Sequence, residues 1–406
     1  MILSSTTGME AKDISPQRVY WTAFIGLFFD YYDLYLFIYL EKTFATHFAL
    51  SAAQSDALQF TGLAGVGAGS LLFGYLADRL GRARMMLAVF VLYVLGISGI
   101  SLAWSEASLL GFRLAASLAL GAEWGISHAF MSERVSRERR YRYAALLQFA
   151  ILGGLLAAMA ARYALPVVGW RWLFAASIVP VTLLSAMRWR WLVAADAVVA
   201  TRAGEANGAA LRVAGDTGGR LGAREALAFA QCLGLASLTI ASGTVNVFFA
   251  KELPQSAWYT ALFWLNVAPG MLLGAWVVRR AGVRPALVIY AIALVALSLF
   301  AWVSAWPERK LAFALVLPLL NGIPFGLMGA FFNEVFAHYR TMLSGAAYNL
   351  GRILAGFAPV LITALGLHAG GHYFVFTAAL GVGVFVIGVG LRRTRPLTRE
   401  RGDDSR

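Results

Sequence analysis

The chain has 406 residues, of which 60% are hydrophobic and only 14% charged. Soluble domains lie nearer half apolar and a quarter charged, so this composition excludes a soluble globular protein and points to a polytopic membrane protein. The net charge of +13 invites a nucleic-acid partner, but its confinement to alternate loops argues for membrane topology and against nucleic acid.

Apolar runs long enough to span a bilayer recur along the whole chain, which predicts helices; a barrel would show short alternating segments. Twelve spans fit, near 18–41, 55–77, 84–103, 107–131, 142–165, 171–193, 225–250, 256–278, 285–305, 310–336, 344–366 and 371–391. The polar stretch Met1–Gln17 lacks a signal-peptide core, and the first span carries two acids and no small-residue cleavage site, so it is expected to be retained. Of the 34 Lys and Arg residues, 26 fall in the loops and termini on one side, whereas Lys42, Arg162, Arg171, Lys251, Arg309 and Lys310 fall on the other. The remaining two, Arg113 and Arg352, lie within spans. This asymmetry predicts a cytoplasmic location for both termini. A lone Cys232 rules out an intrachain disulfide framework.

Span one contains Phe28-Phe29-Asp30-Tyr31-Tyr32-Asp33. At about 1.5 Å per residue, Asp30 lies about 15 Å deep and Asp33 about 20 Å. Spaced i, i+3, the carboxylates share a helix face, and acids at such depth face a bundle interior or a wet cavity. They are candidates for a proton or substrate pathway, weighed against a purely structural role in helix–helix bonding. Span two carries Gly62, Gly65, Gly67 and Gly69. Their Gly-x-Gly spacings precede neither a nucleotide-binding turn nor a Lys-Ser/Thr pair, so they predict close helix packing. The loop that follows holds Gly74, Asp78, Arg79, Gly81 and Arg82, a tight basic turn with an acid at the helix end.

Span four holds Arg113, then Gly121-Ala122-Glu123-Trp124-Gly125 and Glu133. By depth, Arg113 lies about 8 Å and Asp33 about 10 Å below the outer surface, so they could meet; Glu123 is about 15 Å from Arg113 along the helix. His128 reads as packed or interfacial rather than as a relay. Glu133 and Glu334, beside arginines at helix ends, read as gate or fold-stabilising ion pairs. Trp170, Trp172, Trp189 and Trp191 frame span six as interfacial belts. Residues 194–224, rich in Gly, Ala and Arg, read as a cytoplasmic linker between six-helix halves at 1–193 and 225–406, the latter ending in a basic tail. The halves look duplicated. Ala103-Trp104-Ser105-Glu106 recurs as Ala305-Trp306-Pro307-Glu308, Gly74 to Arg79 as Gly274 to Arg279, and Ala129 to Glu133 as Ala330 to Glu334.

Span eleven reads Ser344-Gly345-Ala346-Ala347-Tyr348-Asn349-Leu350-Gly351-Arg352. Arg352 lies near the midplane with Asn349 one turn before it, and a guanidinium suits bidentate recognition of a carboxylate. Asn246, Asn266 and Asn321 place polar groups in spans of the second half, either lining a cavity or bonding helix to helix.

Gly74-Tyr75-Leu76-Ala77-Asp78-Arg79-Leu80-Gly81-Arg82 resembles the signature loop of the major facilitator superfamily. The second copy, from Gly274 to Gly282, lacks the acid and is one residue longer. The Arg113/glycine pattern resembles the span-four motif that this superfamily links to proton coupling. Asp-x-x-Asp in span one, Gly-Ala-Glu-Trp-Gly in span four and Tyr-Asn-x-Gly-Arg in span eleven are similar to its organic-acid:proton symporters, the metabolite, aromatic-acid and lactate-type carriers. The resemblance implies an all-α membrane protein of twelve helices in two pseudo-symmetric halves, working by alternating access as a monomer in the bacterial inner membrane. It implies proton-coupled uptake of a small organic anion, with no enzyme activity, cofactor or metal. Asp30, Asp33, Arg113 and Glu123 are the proton-coupling candidates. Arg352, Asn349, Tyr31, Tyr348, Asn246, Asn266 and Asn321 are the substrate candidates. Gly74, Asp78, Arg79, Gly81, Arg82, Glu133 and Glu334 form the gating set. A proton-coupled exporter of a drug-like or siderophore-like compound is the alternative. The span-five helix has Gly153-Gly154 but no Gly-Pro pair, the feature that drug antiporters of the superfamily usually carry. A non-transporting membrane sensor would bind ligand without flux.

Overall fold

The structure is a computed structural model, and it describes residues 15–205, 222–245, 265–306, 308–367 and 371–391. Its helices are α1 Pro16–Tyr39, α2 Glu41–His47, α3 Ala52–Leu80, α4 Arg82–Ser101, α5 Glu106–Arg134, α6 Arg140–Ala161 and α7 Leu165–Glu205. There follow α8 Ala223–Thr244, α9 Val267–Ala281, α10 Val283–Val303, α11 Arg309–Val335, α12 Arg340–Ala355, α13 Ala358–Ala364 and α14 Tyr373–Gly390. Among the described residues, nine helical stretches are long and apolar enough to cross a membrane, ten if the bent pair α1–α2 is one span. One of the nine joins α6 to α7 across a 3-10 turn, and α9 is described from Val267 onward. The twelve expected spans are therefore α1 with α2, then α3 to α11 singly, α12 with α13, and α14.

Three boundaries differ from those expected. Span one bends by 56° after Tyr39, and Phe37, Phe44 and Phe174 close around the break, with the Phe37 and Phe44 ring centroids 4.7 Å apart. Span eleven starts four residues early, at Arg340, and breaks between Ala355 and Ala358. Helix α7 continues to Glu205, after a non-helical Gly169 at φ 75° near its start.

Local chemistry sets most of the ends. Ser51 and Ser105 start α3 and α5 with reciprocal capping boxes. Gly81 at φ 98° and Gly282 at φ 92° turn the chain between α3 and α4 and between α9 and α10. These angles are open to glycine at no steric cost, and the two turns are the duplicated signature loop and its second copy.

Packing repeats across the duplication. In the first half α3 packs on α5, α4 on α7 and α1 on α6; in the second, α9 packs on α11, α10 on α14 and α8 on α12. The halves meet through α3 with α12 and through α6 with α9, two equivalent pairs, supplemented by α5 and α6 against α11 and α12. Small residues let the backbones approach. A Cβ on Gly65 would sit 2.7 Å from the Ser117 Cβ, and Gly69 and Gly121 lie directly against the backbones of Leu118 and Val66. Gly270, Gly322 and Gly326 do the same between α9 and α11. The span-two glycines thus serve helix packing, and Gly154 brings α6 onto the backbone of α1 at Phe28.

Candidate functional site

Asp30 and Asp33 are both buried on α1. The α1 helix faces α5, α6 and α7, so the acids point into the first half. Asp33 accepts a hydrogen bond from the Tyr93 hydroxyl of α4 and another, at 3.4 Å, from the Ser177 hydroxyl of α7. Arg113 of α5 is 5% exposed. Its guanidinium lies 3.9 Å above the Phe37 ring centroid and against Gly62, where a Cβ would be 2.8 Å from Nη2. The depth match between Asp33 and Arg113 is real in that both line one cavity with Asp30, Tyr93 and Ser117. Asp33 is held directly by Tyr93 and Ser177, and Arg113 by the Phe37 ring. The cavity leaves about 10 Å3 for water centres, close to what one water requires. Among the described residues, Arg113 Nε and Ser117 Oγ have no hydrogen-bond partner. Tyr93 and Ser177 escaped sequence reasoning. Tyr93 does stand on the buried stripe Met86-Val89-Tyr93-Ile97 of α4, and a hydroxyl on such a stripe was the available signal.

The second group joins the halves. Arg352 of α12 donates from Nη1 to the Tyr31 hydroxyl at 3.4 Å and lies 5.9 Å above that ring. Tyr348, one turn earlier, stacks face to face on Trp124 of α5, with centroids 3.9 Å apart and planes 1° from parallel. Asn349 donates its amide to the Gly121 carbonyl at 2.8 Å, tying α12 to α5. Glu123 is buried and accepts from Ser127 at 2.9 Å. Asn321 accepts from Ser242 and Tyr290, both at 2.9 Å, and Asn266 donates to the Leu315 carbonyl at 3.1 Å. For these two, helix–helix bonding is the role observed. Asn246 lies outside the described residues.

The gating candidates close the arginine-rich face. Asp78 at the end of α3 accepts the backbone N–H groups of Thr341 and Met342, at 3.1 and 3.0 Å, from the first turn of α12. It also pairs with Arg82 at 2.8 Å, and Arg82 reaches Glu133 at 3.2 Å and Thr341 Oγ1 at 3.2 Å. Gly74 makes the approach possible, since a Cβ there would be 2.7 Å from the Met342 Cα. Glu334 accepts from the Tyr141 hydroxyl at 2.7 Å and pairs with Arg140 at 3.7 Å, both on α6. The duplicated Glu133 and Glu334 have thus diverged: one braces its own half, the other bridges to the opposite half. Arg79 is exposed, 4.9 Å above the Tyr75 ring, apart from this latch.

Duplicated six-helix halves, glycine turns in both signature loops and charged side chains buried among the helices define a secondary-transporter architecture. The chain belongs to the Major Facilitator Superfamily, whose family model matches residues 23–337; it is a membrane transporter, not an enzyme. It is 25% identical to a Bacillus subtilis protein described as a niacin/nicotinamide transporter, NiaP, over 87% of this chain and 90% of that one. It is 24% identical to the cis,cis-muconate transport protein of Acinetobacter baylyi, over 90% and 91%. Among solved structures, the proton:xylose symporter XylE bound to 6-bromo-6-deoxy-D-glucose superposes with a TM-score of 0.70 at 19% identity, covering 92% of this chain and 94% of that one. At that identity the likeness speaks for the fold alone.

Proposed function

We propose that this protein takes up a small organic anion, a mono- or aromatic carboxylate, together with a proton, by alternating access in the bacterial inner membrane with both termini cytoplasmic. The observation that carries the reading is the water-sized cavity shared by Asp30, Asp33, Tyr93 and Arg113. Two acids and a guanidinium around one water site can hold and release a proton without exposing it to lipid. Arg352 supplies the carboxylate site at the interface between halves, with Tyr31 and Tyr348 as its walls. Asn349 serves that site by holding α12 against α5. The relatives described as carriers of niacin and cis,cis-muconate support an organic acid over a sugar or a cationic drug.

Asp33 takes the proton and Arg113 holds its charge balance, with Asp30 one turn away on the same helix face. The segment around 194–224 links the two halves on the cytoplasmic side, and the monomer is the working unit. Residues Asp78, Arg82, Glu133 and Glu334 close the cytoplasmic gate. The test is uptake into proteoliposomes with an imposed pH gradient. Asp33→Asn is expected to abolish proton-driven accumulation while leaving counterflow exchange. Accumulation like that of the unmutated protein would remove Asp33 from the coupling step.

A further inference from the structure

Trp124 belongs to the first half and Tyr348 to the second, and both rings are buried, at 1% and 3% exposure. The two rings stack in parallel, with centroids 3.9 Å apart and planes 1° from parallel, so that each half presents a π face to the other. The pair also stands beside an unmet polar group. Among the described residues Trp124 Nε1 has no hydrogen-bond partner, and the His128 ring beside it faces the Gln148 side chain of α6. His128 is 1% exposed, with its ring centroid 4.5 Å from that of Trp124. Gly329 of α11 leaves the room that the His128 ring occupies, since a Cβ there would collide with the ring. A buried donor left unpaired is costly, and a ligand entering beside it would pair it.

Polar groups are arranged about this pair end to end. Arg352 lies one helical turn beyond Tyr348, away from the latched face, on the same side of α12. His128 lies one turn beyond Trp124, toward the latched face. We propose that the Trp124–Tyr348 pair is a slot for a planar, conjugated carboxylate, which slides between the two rings with its carboxylate on Arg352 and its far edge toward Trp124 Nε1 and His128. A third π system needs the rings to part by about 3.5–4 Å, one van der Waals contact distance. Since one ring is carried by each half, loading the slot moves the halves. A saturated acid of the same size would need a wider opening and would lose the stacking on both faces.

The slot rests on the carboxylate-carrier reading, and the test separates the two. Benzoate and cyclohexanecarboxylate have the same carbon count and charge and differ in planarity. In proteoliposomes the unmutated protein is expected to take up benzoate about three- to tenfold faster at limiting concentration, the range that ring stacking supplies. Trp124→Leu and Tyr348→Leu should bring the ratio near one, whereas Trp124→Phe, which keeps a ring, should retain most of it. Equal uptake of both acids by the unmutated protein, or an unchanged ratio in the leucine variants, overturns the slot and leaves the carboxylate reading standing. Uptake of neither overturns both. If the leucine variants do not fold, Trp124→Phe still decides by fluorescence. Benzoate should quench the tryptophan emission of the unmutated protein, and that quench should be lost in Trp124→Phe. A quench of equal size in both overturns the proposal.

Discussion

Arg352 places a planar, permanently charged fork one turn from Tyr348 and 3.4 Å from the Tyr31 hydroxyl, and lysine cannot reproduce that geometry. Charge-assisted hydrogen bonds are each worth about 1.5–3 kcal/mol, so Arg352→Lys should slow carboxylate uptake by roughly tenfold to a hundredfold. Initial rates in proteoliposomes measure this; unaltered rates would make Arg352 a structural residue. A second prediction separates packing from chemistry. A Cβ on Gly121 would drive into the Val66 backbone, whereas one on Gly111 of the same helix meets nothing within 4 Å. Overpacking a tight contact costs about 1–3 kcal/mol. Gly121→Ala should therefore lower the thermal unfolding midpoint in detergent by several degrees, and Gly111→Ala should leave it in place. At this scale legibility follows cost. Asp30, Asp33, Arg113 and Arg352 stood out because ionisable groups in apolar runs are expensive. Tyr93 and Ser177 did not, because a hydroxyl in a membrane helix costs little and marks nothing until its neighbours are known.

Helix α12 depends on a foreign side chain for its start. Its first turn is capped from the opposite half: Asp78 accepts the N–H groups of Thr341 and Met342, and a carboxylate at that end also faces the positive pole of the helix. Asp78→Asn keeps one acceptor oxygen and loses the other with the charge. Losing one charge-assisted bond should shift the closed-to-open balance of this face by roughly tenfold or more. The measurement is maleimide labelling at Ser344→Cys, a buried position on α12, in a protein whose buried Cys232 has been replaced by alanine. Labelling should rise about tenfold in the Asp78→Asn background; an unchanged rate would mean that the cap does not hold the face closed. The spans themselves were readable from hydropathy, and so were the glycine turns. The bend after Tyr39 was not, because the aromatic cluster that covers it draws Phe37 and Phe44 from one span and Phe174 from another. Hydropathy runs straight through such a break.

For the whole molecule, the duplication seen as three matched segments reappears as matched helix pairs, yet the polar side-chain contacts holding the halves together are not duplicated. Asp78 has no acidic counterpart in the second signature loop, and Glu133 and Glu334 bind different partners. That divergence leaves the arginine-rich face with one carboxylate cap, from Asp78, where a symmetric carrier would have two. Closing the face also requires two glycines to meet across the interface. A Cβ on Gly125 would lie 2.9 Å from the Thr341 carbonyl and 3.0 Å from the Gly345 Cα, so a larger side chain there must push α12 away from α5. Gly125→Leu should hold the halves apart on the arginine-rich side. Proton-driven accumulation and counterflow should then both fail, since each needs the face to close during the cycle. Ligand binding should survive, because Arg352 and Tyr31 are untouched, and a carboxylate should still raise the thermal midpoint by mass action. Full counterflow in Gly125→Leu would show that closure at this contact is not part of the transport cycle. Loss of the ligand-induced thermal shift together with transport would place the carboxylate site on the closed arrangement of the two halves rather than on α12 and α1 alone.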